Sequence, residues 1–330
     1  MATIKRALVT GGAGYIGAHM VDLLLQQGWH VAIIDNLSSG HQDTLDPRAV
    51  FYEIDLCNAE QTEAALLSIR PDVVFHFAAL SIVSESFLQP EYHTLHNINS
   101  TRNLLQGMQK ANCHALVYSS SCSVYGNAQT IPIPEDHPII PLSPYGESKA
   151  VCEKLIQEAN RQWHLNAIIL RYFNVAGCAN KWRLRERHEP ETHLIPNLLT
   201  ASLYHTPFFL YGNDHPTPDG TAIRDYIHVL DLTEAHLLAA NALSSGEQGV
   251  QIFNLGSGQG SSVQQVIHLT GKITGKPLVV ETHPARQGDA PILFSDTRCW
   301  QQWSQKAAML HDLDSMIRSA WHIVNHDKVQ

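Results

Sequence analysis

Thr10-Gly11-Gly12-Ala13-Gly14-Tyr15-Ile16-Gly17 follows an apolar run at residues 7–10 and opens a helical pattern. Gly12, Gly14 and Gly17 fit G-x-G-x-x-G, and Gly11, Gly14 and Gly17 fit the looser G-x-x-G-x-x-G. Glycine at these places permits a tight turn and lets backbone amides approach a pyrophosphate at the start of the helix. The spacing alone is a weak signal; between a strand and a helix it is a strong one. Further apolar runs at 31–34, 50–54, 73–77, 116–119 and 167–170 read as buried strands, with helical stretches between most of them. That alternation predicts an α/β fold, a Rossmann-type doubly wound parallel sheet covered on both faces.

Beyond a polar, partly basic loop at 178–191 the pattern turns irregular, punctuated by Pro207, Pro216 and Pro218. A smaller mixed α/β C-terminal lobe is expected there. Residues 252–255 read as one more strand, and Asp231 with Glu234 as a helix N-cap and its capping partner. The expected division is a dinucleotide-binding domain of 1–177 with a returning segment of about 224–258, and a substrate-binding lobe of 178–223 and 259–330.

With 330 residues, 44% hydrophobic and 16% charged, the chain has room for about two domains around a sizeable core. A formal net charge of −9 argues against nucleic acid as a partner, while leaving room for a small anion held by local arginines. The six cysteines form no C-x-x-C pair. They read as reduced thiols of a cytoplasmic protein, not as a disulfide framework or zinc site. No signal peptide precedes the first strand pattern, and no apolar run approaches the roughly 18 residues that span a bilayer, so no membrane association is expected. His188-Glu189-Pro190-Glu191-Thr192-His193 superficially looks like a zinc helix. Its histidines are five apart and Pro190 interrupts them, so no metal is expected.

Asp35 ends the second run, 18 residues after Gly17. An acidic side chain there can bond the adenosine ribose hydroxyls and would repel the extra phosphate of NADP, so NAD is the cofactor expected. Asp55 ends the third run and can meet the adenine; turn formation or helix capping is the plainer reading of either aspartate. Ser143-Pro144-Tyr145-Gly146-Glu147-Ser148-Lys149 places Tyr145 and Lys149 four apart, just inside a predicted helix start and on one helix face. A phenol with a pKa of about 10 is a poor base at pH 7, and bringing it near 7 takes about 4 kcal/mol. A neighbouring ammonium favours the phenolate. Such a pair can take a proton from an alcohol that gives up hydride. A half-buried tyrosine beside a solvated lysine is the plainer alternative.

Several motifs together carry a resemblance. After the glycine loop come Asp35-Asn36, Phe75-His76-Phe77-Ala78-Ala79, Ser119-Ser120-Ser121-Cys122-Ser123-Val124-Tyr125-Gly126 and Tyr145-x-x-x-Lys149. Then follow Leu170-Arg171-Tyr172-Phe173-Asn174, Glu191-Thr192-His193-Leu194-Ile195-Pro196, Arg224-Asp225-Tyr226-Ile227-His228-Val229, Asn254-Leu255-Gly256 and Arg286-Gln287-Gly288-Asp289. Through nearly its whole length the chain resembles the extended short-chain dehydrogenase/reductase family and, within it, the UDP-glucose 4-epimerases.

The resemblance implies NAD-dependent interconversion of UDP-glucose and UDP-galactose. Hydride and a proton leave C4 of the sugar, the 4-keto intermediate rotates, and hydride returns to the other face. Tyr145 is implied as general base and Lys149 as its electrostatic partner and a ligand of the nicotinamide ribose. Ser121 is implied to bond the reacting sugar oxygen; capping of the following turn is its plainer role. NAD is expected to meet Gly11, Gly14, Tyr15, Ile16 and Gly17, then Asp35, Asn36, Ser38, Asp55 and Leu56. It is also expected at Phe77, Ala78, Ala79, Asn97 and Tyr172. Arg224 and Arg286 match the diphosphate clamp, where a planar guanidinium pairs with phosphate oxygens; a surface ion pair such as Arg224 with Asp225 is the alternative. Ser123, Asn174, His193 and Leu194 match positions near the sugar and diphosphate, Phe209 and Tyr211 the uracil, and Asp289 the uridine ribose.

Departures from the family pattern bear on the sugar. Ser81 stands where some members have lysine, Ala18 replaces a serine after Gly17, and 181–187 is basic. Leu293 stands where some members have tyrosine and leaves more room. UDP-N-acetylhexosamines or UDP-pentoses are therefore alternative substrates on the same machinery. A 4,6-dehydratase would need an acid and a base where Cys122 and Ser123 stand. A silent NAD-binding protein would be free to lose Tyr145 and Lys149, and both are present. A homodimer is expected from the family, through helices around 101–111 and 145–161.

Overall fold

The computed structural model describes residues 5–179, 181–286, 290–306 and 309–326. In chain order the first part runs β1 (Arg6–Thr10), α1 (Tyr15–Gln26), β2 (His30–Asp35), β3 (Val50–Glu53), α2 (Ala59–Ile69) and β4 (Val73–His76). It continues through α3 (Val83–Leu88), α4 (Pro90–Lys110), β5 (Ala115–Ser121), α5 (Pro144–Trp163) and β6 (Asn166–Tyr172). Then come β7 (Asn174–Ala176), α6 (Leu194–Tyr204), β8 (Phe208–Tyr211), β9 (Ile223–His228), α7 (Val229–Ser244) and β10 (Val250–Leu255). The chain closes with β11 (Gly260–Ser262), α8 (Val263–Thr274), β12 (Val280–His283), β13 (Ile292–Leu293), α9 (Arg298–Ser304) and α10 (Leu313–His326).

Contacts divide the chain into two units. One comprises Met1–Gly126, Ile139–Arg171 and Thr233–Phe253; the other comprises Asn127–Pro138, Tyr172–Leu232 and Asn254–Gln330. The first is built on a seven-stranded sheet of order β10-β6-β5-β4-β1-β2-β3. Strand β1 pairs in parallel with β2 and β4, β2 with β3, and β4 with β5. The order reverses between β1 and β4, which is the Rossmann arrangement the apolar runs predict. Leu8, Ile34, Val74 and Leu116 are buried in this sheet and pack with Leu66, Leu104, Met108 and Ile156 of the helices. Continuous apolar strands follow from burial on both faces.

Local chemistry sets the helix starts. Ser143 caps α5 by accepting from the Gly146 amide at 3.1 Å, and Pro144 fills the first turn, where its missing N–H costs nothing. Asn58 caps α2 through the Gln61 amide. Helix α5 stops at His164 in the left-handed conformation, which frees the chain to turn into β6.

In the second unit β9 lies between β11, antiparallel, and β13, parallel, with β7 also pairing parallel to β9. Strands β8 and β12 form a separate parallel pair. Ile195, Leu198, Phe208, Tyr226, Val266 and Ile317 make its core. Helix α8 opens with a reciprocal capping box of Ser262 and Gln265. Asp231 is not the N-cap expected of it. Helix α7 already begins at Val229, and the His228 ring Nδ1 takes the Leu230 amide at 3.0 Å. Asp231 sits inside the first turn and receives the His311 amide at 3.0 Å. Among the described residues no helix is long and apolar enough to cross a membrane, and none of the six cysteines is in a disulfide.

Candidate active site

The glycine loop leaves β1 and enters α1 against β4. Gly11 has φ +71°, and a Cβ there would lie 2.6 Å from the Ala78 amide nitrogen. A Cβ on Gly17 would lie 2.1 Å from the Gly11 carbonyl oxygen. No larger residue fits either place without moving backbone. Gly14 is the N-cap of α1 and contributes no side-chain hydrogen bond; Tyr15, Ile16 and Gly17 form the first turn, which carries no acidic residue. A helix start of this kind suits an anion. Thr10, which sequence reading passed over, holds the neighbouring strand end: its Oγ1 meets His76 Nδ1 at 2.7 Å and accepts from the Ala78 amide at 3.4 Å. Burial lowers His76 to about 3, so its ring is neutral.

Asp35 is 8% exposed and spans the loop. Its Oδ2 accepts from the Ala13 amide at 3.0 Å and its Oδ1 from Leu37 at 2.8 Å. Burial raises its pKa against the pull of those two amides. Each oxygen keeps a lone pair for a ribose hydroxyl. Asn36 donates to Asp55 Oδ2 at 3.2 Å and accepts from the Ser38 amide at 3.1 Å. Asp55 also takes the Cys57 amide at 2.8 Å. Burial would raise this carboxyl, but Cys57, Asn36 and His96 hold it below its ordinary value. Leu56 is buried, and its carbonyl takes Asn103 Nδ2 at 2.9 Å. Phe77 stacks 4.8 Å from the His236 ring. Asn97 grips both backbone groups of Leu80, the amide at 2.8 Å and the carbonyl at 3.0 Å. Its Nδ2 also reaches Ser148 Oγ at 3.0 Å, so it fixes the Phe77-Ala78-Ala79 turn to α5.

Tyr145 and Lys149 share the inner face of α5 and are 8% and 4% exposed. Lys149 Nζ lies 5.8 Å from the centre of the Tyr145 ring and 5.0 Å from that of Tyr118, and donates to the Ser119 carbonyl at 2.8 Å. Burial lowers Lys149 to about 8. The plainer alternative of a solvated lysine is therefore wrong. Ser121 ends β5, where its Oγ accepts from the Ser123 amide and donates to Ser123 Oγ, both at 3.1 Å.

Behind these residues lies a buried network the sequence did not reveal. Arg171 Nη2 meets Glu153 Oε2 at 2.6 Å, Arg171 Nε meets Oε1 at 2.9 Å, and Nη1 donates to Tyr125 OH at 3.0 Å. Ser120 Oγ closes on the same carboxylate at 2.5 Å. The network ties α5 to β6 and to the turn after Ser121. It also engages Tyr125, which a sequence reader could mistake for a second base.

In the second unit Arg224 stands on β9 opposite Leu293 of β13 and Ser261 of β11, and Asn174 opens β7 beside Tyr226. Asp225 does not serve as the ion-pair partner considered for Arg224. It is wholly buried and takes Ser257 N at 2.7 Å, Ser257 Oγ at 2.6 Å, Gly258 N at 3.2 Å, Ser295 N at 3.0 Å and Ser295 Oγ at 2.5 Å. Adjacent strand residues face opposite ways, so saturating Asp225 fixes the face that Arg224 presents. Phe209 and Tyr211 share the exposed face of β8. His283 lies 4.9 Å and 5.5 Å from their rings, and the Arg286 guanidinium sits 4.3 Å over Tyr211. Tyr172 ends β6, His193 is the N-cap of α6 and Leu194 its first residue. Asp289 lies outside the described residues. The segment read against a zinc helix is not helical, and it brings Glu186, His188, Glu191 and His193 together.

Comparison with known proteins agrees with this geometry. Residues 7–256 match the NAD dependent epimerase/dehydratase family. The chain is 38% identical over 315 residues to the UDP-glucose 4-epimerase of Lacticaseibacillus casei, covering 95% of each. It is 40% identical over 320 residues to that of Halalkalibacterium halodurans, covering 96% of this chain and 94% of the other. The crystal structure of the Brucella ovis UDP-glucose 4-epimerase in complex with NAD superposes with a TM-score of 0.92 at 36% identity, covering 97% of this chain and 98% of that one. With its glycine turn, its acidic β2 end and its Tyr145–Lys149 helix face, the chain belongs to the NAD dependent epimerase/dehydratase family.

Proposed function

We propose that this protein is a UDP-glucose 4-epimerase that works with NAD. The observation that carries the reading is the burial of Tyr145 and Lys149 together on α5, with Lys149 bonded to the Ser119 carbonyl of β5, the strand that Ser121 ends. The first unit fits the cofactor. The turn at Gly11 and Gly17 has no room for side chains, and Asp35 offers carboxylate oxygens at the end of β2. NAD supplies the hydride acceptor for C4 of the sugar. Tyr145 removes the C4 hydroxyl proton, Lys149 stabilises its phenolate, and Ser121 holds the sugar oxygen. The 4-keto sugar then presents its other face, where hydride returned to C4 is matched by the proton that Tyr145 gives back to the oxygen.

The second unit supplies Arg224 and Arg286 for the diphosphate and the Phe209–Tyr211 face for uracil, with Asn174, His193 and Leu194 along the sugar and diphosphate. The proposed cofactor domain is 1–177 with a returning segment of about 224–258, and the sugar-nucleotide domain 178–223 with 259–330, a division that differs from the contact units at Arg224. We also propose a homodimer in a reducing cytoplasm. Exposed Phe87, Leu88, Tyr92 and Leu95 on α3 and α4 and six cysteines outside any disulfide support this; light scattering should give the mass of two chains. Proton NMR of UDP-glucose incubated with the protein and NAD tests the activity. Growth of the anomeric signal of UDP-galactose to a constant ratio is expected; its absence with folded, NAD-bound protein would refute the assignment.

A further inference from the structure

Four ligating side chains converge in the stretch leading into α6: Glu186, His188, Glu191 and His193, whose donor atoms all lie within 4.8 Å of one another. Their spacing is Glu-x-His followed by Glu-x-His. Residues two apart in extended backbone share a face, so each half offers one carboxylate and one imidazole on the same side. His193 Nδ1 is 3.0 Å from Glu191 Oε1 and 3.2 Å from Glu186 Oε1. His188 Nδ1 is 3.6 Å from Glu191 Oε2 and 3.7 Å from Glu186 Oε1. The two rings are 4.5 Å apart.

Zinc bonds nitrogen and oxygen at roughly 2.0–2.2 Å, so neighbouring ligands of a tetrahedral ion sit about 3.3–3.6 Å apart. The four measured separations bracket that value. Hydrogen bonding alone does not account for the cluster. His188 Nδ1 is buried without a hydrogen-bond partner and faces two carboxylates beyond hydrogen-bond reach. The Glu186 side chain is only 10% exposed and that of Glu191 20%, and two largely buried carboxylates side by side favour a cation between them.

We propose that Glu186, His188, Glu191 and His193 bind one divalent transition-metal ion, zinc by ligand type, which pins this loop to the start of α6. The proposal shares only His193 with the sugar-nucleotide reading, and both test variants lie outside that reading. The other candidate cluster, Asp55, Cys57 and His96, is weaker: the Cys57 thiol points to the His96 carbonyl and Ser100 Oγ, at 3.6 and 3.4 Å.

The test uses full-length, tag-free protein stripped with a chelator. Zinc titration by calorimetry and the visible d–d bands of added cobalt(II) are the readouts. One equivalent of zinc and the absorption of a tetrahedral cobalt site are expected. Losing a partner of a metal ligand already weakens binding by about 10–100-fold, so His188→Ala, which removes a ligand, should weaken it by at least about 100-fold. Glu186→Gln should act in the same direction, while Cys57→Ser should leave binding unchanged. Circular dichroism melts of the metal-free variants establish that they fold. No stoichiometric binding to wild type, or binding that survives both His188→Ala and Glu186→Gln, would overturn the proposal.

Discussion

Replacing Lys149 by methionine should make the cofactor-free protein more stable while removing its activity. Lys149 is buried, and its pKa falls from the ordinary 10.5 to about 8. At about 1.4 kcal/mol for each pH unit, holding the ammonium inside costs about 3 kcal/mol. Methionine fills similar space without charge, but it leaves the Ser119 carbonyl without the donor now at 2.8 Å, a loss of about 1 kcal/mol. The net expectation at pH 7 is a gain of about 2 kcal/mol. The folded pKa lies below the unfolded one, so the penalty is complete below about pH 8 and fades as pH rises toward 10.5. The advantage of Lys149→Met should therefore vanish by about pH 10. Urea unfolding of NAD-free protein, followed by circular dichroism at pH 7 and pH 10, reads both numbers. A variant less stable than wild type at pH 7, or an advantage that ignores pH, would show that Lys149 is not held charged at a cost. Stability surrendered at a site that needs a charge is a common exchange in enzymes.

Other expectations concern neighbouring parts. Tyr145→Phe should keep the fold and NAD but lower kcat by about 10²–10⁴-fold, measured by NMR of the sugar products. Arg171→Met should destabilise the protein by about 3–5 kcal/mol in urea unfolding, because Glu153 stays buried without its cation; adding Glu153→Gln should recover part of the loss. Gly17→Ala places a methyl group 2.1 Å from the Gly11 carbonyl oxygen. The loop must move, costing about 1–3 kcal/mol and weakening NAD in a fluorescence titration.

What the sequence made legible depended on whether the cause was local. The parallel sheet announced itself through short apolar runs, because strands buried on both faces have little choice of residue. The glycine turn and the Tyr145–Lys149 pair could be read because their partners lie within one turn of chain. The Glu153–Arg171 pair joins α5 to β6, and no spacing rule links those two residues. Asp225 was legible as part of a motif, but its five donors come from residues 257, 258 and 295. The capping role read at Asp231 failed because α7 begins two residues earlier and a histidine ring, not a carboxylate, receives the Leu230 amide in its first turn. At 186–193 the chain is not helical, and extended backbone brings together Glu186, His188, Glu191 and His193, which no helix spacing rule links.

In the proposed reaction Tyr145 handles the proton while the C4 hydrogen leaves and returns as hydride without meeting solvent. Running the conversion of UDP-glucose in deuterium oxide tests it most directly, with NMR and mass spectrometry reading C4 of the UDP-galactose formed. Product carrying protium at C4 with no solvent deuterium is expected. Deuterium at C4 would mean that the hydrogen leaves as a proton, and would contradict it.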